Sequence, residues 1–299
     1  MRSLMMAILI MAFLGGSAQG RYALVYFKGV VQTSSDKKLW LQQNRIGSTV
    51  NDNEVVKLED KSEAIYSGPK GEVVHLKQAG NYAVSDFASL QAKGNQQSFA
   101  AYYVKYVAGE IAHHHNDIEE DYKGNLRNLG GVSRGHGELC LLTPRFDEVV
   151  IDSAVTFTWH NFSSVKDYTF IIFSDSLLEQ QMVVRDVPDT TTTVVVKGFP
   201  AGKTYYWKAE SRTRNNCLNG QFRLADSGEK KSLSFQHKEM LQTLTYTKAL
   251  NKLTEAGFYI DKGVYSRAEK CFADALKLEP NNESIKQAYE AFRTTLYQP

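Results

Sequence analysis

The sequence predicts a multidomain α+β protein: an N-terminal all-β module with a helix, a central β-sandwich, and a C-terminal helical hairpin with a capping helix. Three observations predict it. Short β-rich runs separated by turn residues fill residues 21–95, and aromatic-bearing strand patterns recur between 140 and 231. From 232 onward the apolar residues recur every three or four positions instead of every two. A chain of 299 residues accommodates two or three domains, and its 16 Tyr and 15 Phe against 6 Pro argue for packed cores over disorder.

The chain opens with MRSLMMAILIMAFLGGSAQG: Arg2, an apolar run over 4–14, then small residues at Ala18 and Gly20. This pattern reads as a secretory signal peptide over 1–20, so the mature chain is expected to begin near Arg21 in the periplasm or cell envelope. The apolar run is shorter than the roughly 20 residues a membrane span needs, no later segment reaches that length, and no cysteine stands at the end of the leader to carry a lipid. With 35 basic and 33 acidic residues, there is no general attraction to nucleic acid or to an anionic membrane.

Residues 21–87 hold the runs YALVYFKGVVQT, KLWLQ, EVVKL, EAIYS, EVVHL and NYAVS. Gly68, Pro69 and Gly71 mark the clearest hairpin turn, since they supply the dihedrals a tight turn requires. The succession Gly29-Val30, Leu39-Trp40-Leu41, Ser48-Thr49-Val50-Asn51-Asp52, Ser62-Glu63-Ala64 and Gly71-Glu72-Val73 resembles the periplasmic FecR-type β domain over about sixty residues. That resemblance implies a module of envelope sensing or assembly, although this chain lacks the transmembrane link to a cytoplasmic regulator.

Residues 96–139 form an amphipathic helix and a Gly-rich connector. Ser98 is the expected N-cap, and Phe99, Tyr102, Tyr103, Tyr106, Val107 and Ile111 make an aromatic stripe expected to pack on the β module. Gly130, Gly131, Gly135 and Gly137 mark the connector.

Within 140–231, strands are expected at 156–159, 168–173, 191–196, 203–209 and 221–224, with Trp159 and the Tyr205-Tyr206-Trp207 run filling the space between two sheets. LTP, VTFTW, YTFII and GKTYYWKAE resemble strands of the fibronectin type III family over roughly eighty-five residues, a resemblance that implies architecture but no particular activity.

In 232–299, a first helix is expected over 232–248, capped at Ser232 or Ser234. Residues 249–280, ALNKLTEAGFYIDKGVYSRAEKCFADALKLEP, then read as two amphipathic helices joined at Gly263. Ala256 and Tyr259 share one helical stripe; Ala268, Phe272 and Ala275 share another, and Pro280 ends the pair. The order of small residue, aromatic, turn, small, aromatic, small and proline resembles one tetratricopeptide repeat (TPR), a family whose members are usually adaptors. A single repeat cannot bury its own apolar face. It must borrow cover from flanking helices, from the sandwich or from a second molecule. Lys252 and Glu255 stand where that family commonly has large apolar residues. After Asn281-Asn282, Ile285, Ala288, Tyr289, Phe292 and Leu296 recur as a closing helix.

Few residues point to chemistry. On a helix, Glu110 with His114 and His113 with Asp117 each offer two ligands at i, i+4 spacing, and His136 is the nearest third donor. A solvated helix end accounts for the same residues, so no metal or other cofactor is expected. His136 with Cys140 is imaginable as a nucleophile pair, but a disulfide or a buried thiol is the simpler role. If a bridge forms, Cys140 with Cys217 is favoured; the other outcome is three reduced thiols. Asp152-Ser153-Ala154, Asp175-Ser176-Leu177 and Asp189-Thr190-Thr191 resemble a short bacterial O-glycosylation signal and are also ordinary turn dipeptides. HExxH, Gly-rich phosphate loops and CxxC pairs are absent. The expectation is an exported, non-enzymatic envelope protein serving as a protein-binding scaffold or sensor-type subunit. The alternative is a ligand-binding β module for cell-wall glycan or a metal, with the helices as packing. A hydrolase whose residues converge only on folding is the remaining class.

Overall fold

The computed structural model describes residues 21–69, 71–90, 99–107, 139–144, 148–161, 167–211 and 219–297. The N-terminal module is two four-stranded antiparallel sheets, β4-β1-β6-β7 and β3-β2-β5-β8. Its strands are β1 (Arg21–Lys28), β2 (Val31–Ser34), β3 (Leu41–Gln42), β4 (Thr49–Asn51), β5 (Val55–Leu58), β6 (Glu63–Ser67), β7 (Val73–Leu76) and β8 (Gly80–Ala83). Leu24, Val25 and Tyr26 are all buried, so β1 is covered on both faces. The expected β6–β7 hairpin forms, with Gly68 N–H donating to the Glu72 carbonyl at 2.8 Å. Between β1 and β2 the chain crosses from one sheet to the other at Gly29, where φ is +75° and an added Cβ would lie 2.5 Å from Ser62 Oγ. Glycine is the residue that fits there.

The central module is a two-layer sandwich. One sheet has the order β10-β16-β15-β12-β13 and the other β14-β11-β9. The strands are β9 (Leu139–Thr143), β10 (Glu148–Val150), β11 (Ala154–Asn161), β12 (Tyr168–Phe173), β13 (Gln181–Val187), β14 (Thr191–Val195), β15 (Thr204–Ser211) and β16 (Gly220–Leu224). All pairings are antiparallel except β10 with β16. Between the layers, Phe157 packs edge-on to Trp207 at 5.1 Å, and Trp159 lies 6.4 Å from Trp207. Strand β13 was not expected. It is an edge strand exposed along most of its length, so it lacks the strict in-out alternation that marks half-buried strands.

Four helices follow: α1 (Ser227–Thr243), α2 (Lys248–Asp261), α3 (Tyr265–Leu278) and α4 (Glu283–Tyr297). Helix α1 begins earlier than the expected 232, because Asp226 and Glu229 form a reciprocal capping box that outcompetes Ser232 and Ser234. Asn282 caps α4, its Oδ1 accepting from the Ser284 and Ile285 amides.

The aromatic stripe of residues 99–107 shares a core with the first β module, as expected, and it also packs against the C-terminal helices. Ala100–Val104 is wound as a π-helix, and its neighbours are chiefly the C-terminal helices. Tyr102 stands edge-on to Phe258 at 5.2 Å, Tyr106 lies 5.7 Å from Phe272, and Tyr106 Oη donates to the Ala288 carbonyl at 2.9 Å. The segment comes this close because α2 carries Gly257, where an added Cβ would lie 2.6 Å from the Tyr102 carbonyl carbon. A backbone contact of that kind is invisible to side-chain periodicity.

Two apolar cores result. One runs without interruption from the β-strands of the first module through residues 99–107 into α2, α3 and α4; the other fills the sandwich. The two ends of the described chain therefore build one unit, into which the sandwich is inserted. Substituting Gly257→Ala should push the Tyr102 backbone off α2 and cost about 1–3 kcal/mol, read as a lower urea midpoint with an unchanged slope.

Candidate binding interface

The helical pair buries the residues expected to pack it. Ala256, Ala268, Phe272 and Ala275 are fully enclosed and Tyr259 nearly so, whereas Pro280 is exposed beyond the end of α3. Phe272 lies 5.8 Å from Tyr289, rings nearly parallel, and 5.0 Å from Phe292, so α4 supplies the expected cover. The first β module, which was not among the expected sources of cover, supplies more. Cys271 is a buried free thiol, and burial together with the nearby Glu255 charge pushes its pKa up to about 12, which leaves it unreactive. His113, His114, His136 and Cys217, with Glu110 and Asp117, lie outside the described residues; Cys140 is described only as backbone in β9. The metal and disulfide expectations rest on those side chains. Among the described residues no three His, Cys, Asp or Glu side chains are grouped to hold a metal ion.

The Asp-Ser and Asp-Thr dipeptides behave as turn residues. Asp175 accepts from the amides of Leu177, Glu179 and Gln180, and these bonds, Gln180 first, hold its carboxyl below the ordinary range. Asp189 accepts from the Thr190 amide at 2.7 Å. Asp152 has a longer-range partner: both its oxygens accept from the Arg267 guanidinium of α3.

That ion pair belongs to the joint between sandwich and helices. Val149 N–H on β10 donates to the Gly263 carbonyl at 2.8 Å, and Glu148 Oε1 accepts from the Ser266 amide at 2.9 Å. Glu148 thereby caps α3, whose own N-cap residue, Val264, has no side-chain acceptor. On the opposite side, α3 and α4 are held to β1 by a polar cluster. Asn282 Nδ2 donates to Tyr26 Oη at 2.9 Å and to Glu279 at 2.8 Å, Lys28 pairs with Glu279 at 3.2 Å, and Ser284 Oγ donates to the Phe27 carbonyl at 2.9 Å. Burial, then the charges of Glu279 and Glu63, push the Tyr26 phenol upward, so it stays protonated.

Lys252 and Glu255, out of place for an apolar stacking face, form a third seam, between α1 and α2. Glu255 is 7% exposed and lies 2.7 Å from Lys252 Nζ and 3.3 Å from His237 Nε2. The His237 ring rests 5.5 Å from Phe258 and 5.2 Å from Tyr259. Burial opposes ionisation of Glu255, but the hydrogen bonds from His237 and Lys252 outweigh it and hold the pKa below its ordinary 4.5. Glu63 is similar: burial opposes ionisation, and the bond from His75 at 2.5 Å reverses the shift.

Where α1 leaves the sandwich there is an open cleft of about 330 Å³. Val149, Ile151, Ala225, Leu233 and Val264 give it an apolar floor; Arg223, Glu229, Ser232, Gln236 and Lys262 give it a polar rim. Arg223 donates to Glu229 at 2.7 Å across that rim. Phe235, 65% exposed, precedes the cleft residue Gln236 on α1. Neither the cleft nor Phe235 was singled out in the sequence, since the lining comes from three separate segments; the unpaired Phe in a polar helix was the one available signal.

No protein-family model matches the chain, and no curated protein matches it in sequence. Solved structures offer distant neighbours. A biofilm-associated protein BSP domain aligns at 12% identity and a TM-score of 0.25, covering 70% of this chain and 45% of that one. A beta-1,2-glucanase from Parabacteroides distasonis aligns at 11% identity and a TM-score of 0.23, covering 93% and 48%. This chain spans less than half the length of either structure. An α+β chain of mainly antiparallel sheets ending in helices is the description that holds. No helix among the described residues is long and apolar enough to cross a membrane.

Because the folded pKa of Glu255 is depressed, its contribution to stability is complete above about 4.5 and is lost as pH falls through the lower folded value. Glu255→Gln should lower the urea midpoint at pH 7 and flatten its decline between pH 4.5 and 3. A decline as steep as that of the native chain would remove Glu255 as a source of the acid response.

Proposed function

We propose that this chain is an exported, non-enzymatic envelope protein that acts as a protein-binding scaffold or sensor-type subunit. Its modules are read as a FecR-like β module, a fibronectin type III-like sandwich and a single TPR-like hairpin. The strand partition supports the sandwich reading, as does Tyr205 at the start of β15, whose hydroxyl donates to the Pro200 carbonyl at 2.8 Å in the manner of a tyrosine corner. The pattern of Ala256, Tyr259, Ala268, Phe272 and Ala275 as internal packing supports the hairpin reading.

The observation that carries the functional reading is the cleft beside α1. Its floor is apolar, its rim is polar, and it lies where sandwich, α1 and the α2–α3 turn meet, the kind of place where binding sites concentrate. Phe235, exposed on the same helix, is a residue of the type that anchors protein interfaces. A polypeptide segment with an apolar side chain for the floor and polar groups for Arg223, Gln236 and Lys262 would fit it.

Deleting residues 232–299 would not test this proposal, because the helices complete the N-terminal core. A photo-reactive residue at position 235 should instead capture a defined envelope polypeptide in living cells, while the same probe at the equally exposed Leu177 should not. Phe235→Ser should weaken that complex at least tenfold without altering the unfolding midpoint. Capture at both positions alike, or none at 235, would sink the scaffold reading.

A further inference from the structure

The outer face of the second sheet carries a row of polar side chains that the fold does not use. Gln42, Gln32, Lys57 and Asn81 are directly opposite one another across β3, β2, β5 and β8. Their strand neighbours Thr33, Val56 and Leu58 are buried on the core side, so the row lies on the solvent side, spanning about 14 Å across three strand spacings. Trp40 stands at one end of it, with Lys57 Nζ 5.5 Å from the indole centroid.

Three features mark this row as more than a solvated surface. Among the described residues, the Gln42 and Asn81 side chains have no hydrogen-bond partner, Lys57 has no ion-pair partner, and Gln32 Oε1 is shielded from solvent with no partner. An orphaned acceptor of that kind costs free energy unless something supplies a donor. The turn that presents Trp40 is also well ordered. Asp36 Oδ1 accepts from the Lys38 amide at 2.8 Å and the Leu39 amide at 3.0 Å, and Ser34 Oγ ties the same loop at Lys37. Finally, Trp40 is two residues from Gln42, the strand period that puts both side chains on one face.

We propose that this face binds an acidic polysaccharide. A sugar ring has an apolar C–H side, which packs on an indole, and a rim of hydroxyls, each both donor and acceptor. Carboxamides are donor and acceptor too, so Gln42, Gln32 and Asn81 match hydroxyls without charge. Lys57 has only donors and a fixed charge, and its place beside the ring suits a carboxylate on a sugar stacked against Trp40. Neutral amides outnumber cations in the row, which favours a hydroxyl-dense chain over a phospholipid surface.

The test uses the mature chain with polygalacturonate as the acidic probe, dextran as the neutral one and anionic phosphatidylglycerol vesicles as the lipid one. Of the three tryptophans, Trp159 and Trp207 are buried, so acrylamide quenching reports chiefly on Trp40. Polygalacturonate should shield that residue and bind at least tenfold more tightly than dextran. Trp40→Ala should abolish binding at an unchanged unfolding midpoint, and Lys57→Gln should erase the preference for the acidic chain. Equal binding of dextran, binding indifferent to both substitutions, or binding of the vesicles alone would each overturn the assignment.

Discussion

The arrangement depends on a carboxylate supplied where a helix has nothing of its own. Helix α3 starts after Val264, so its first amides have no local side-chain acceptor. Glu148, from the sandwich, accepts one of them while itself 1% exposed. A buried carboxyl group is tolerable there because the helix N-terminus supplies the amide donor and a complementary partial charge. The next residue, Val149, bonds to the Gly263 carbonyl, so the α2–α3 turn is attached to β10 by main chain as well as side chain. Since β10 pairs with β16, and β16 runs on through Asp226 into α1, the sandwich grips the helical unit at two separated points in the chain.

The other end of the helical unit is held by a shared core. Apolar packing from β1 through Tyr103 and Tyr106 to Phe272 provides the driving force, because burial of large aromatic and aliphatic surface outweighs anything the polar seams contribute. The seams have a different consequence. Buried or half-buried charges cost free energy unless paired, so Tyr26, Lys28, Glu279 and Asn282 permit few orientations of α4 on β1, and His237, Lys252 and Glu255 permit few of α1 on α2. Apolar contact sets how tightly the units associate; the polar contacts set the angle at which they do.

Much of the first module and most of the sandwich were legible because strand alternation and turn chemistry are local. The β6–β7 hairpin needed only Gly68 and Gly71, and the packing of Ala256, Ala268, Phe272 and Ala275 needed only helical spacing. What was illegible is long-range. Nothing local distinguishes Glu148 from a solvated acid, and the Tyr102 approach to Gly257 is a backbone contact between segments far apart in the chain. The start of α1 was misplaced for a different reason: serines at 232 and 234 compete as caps, and only the bond that the Asp226 amide donates back to Glu229 decides between them. Of the proposed binding surfaces, Trp40 was visible as a residue but not as the neighbour of a row, since the row exists only in the register of four strands.

The α2–α3 hairpin is covered on several sides: residues 99–107 pack on α2, α4 packs on α3, and β1 backs α4. The hairpin is thus a fixed element, and it helps to shape neighbouring surfaces. The cleft beside α1 is one, because its floor takes Val264 from the hairpin turn, Val149 from the sandwich and Leu233 from α1. With all three elements tied to one another by hydrogen bonds or packing, little conformational freedom remains to be lost on binding, which is the advantage a rigid three-way junction has over a mobile loop.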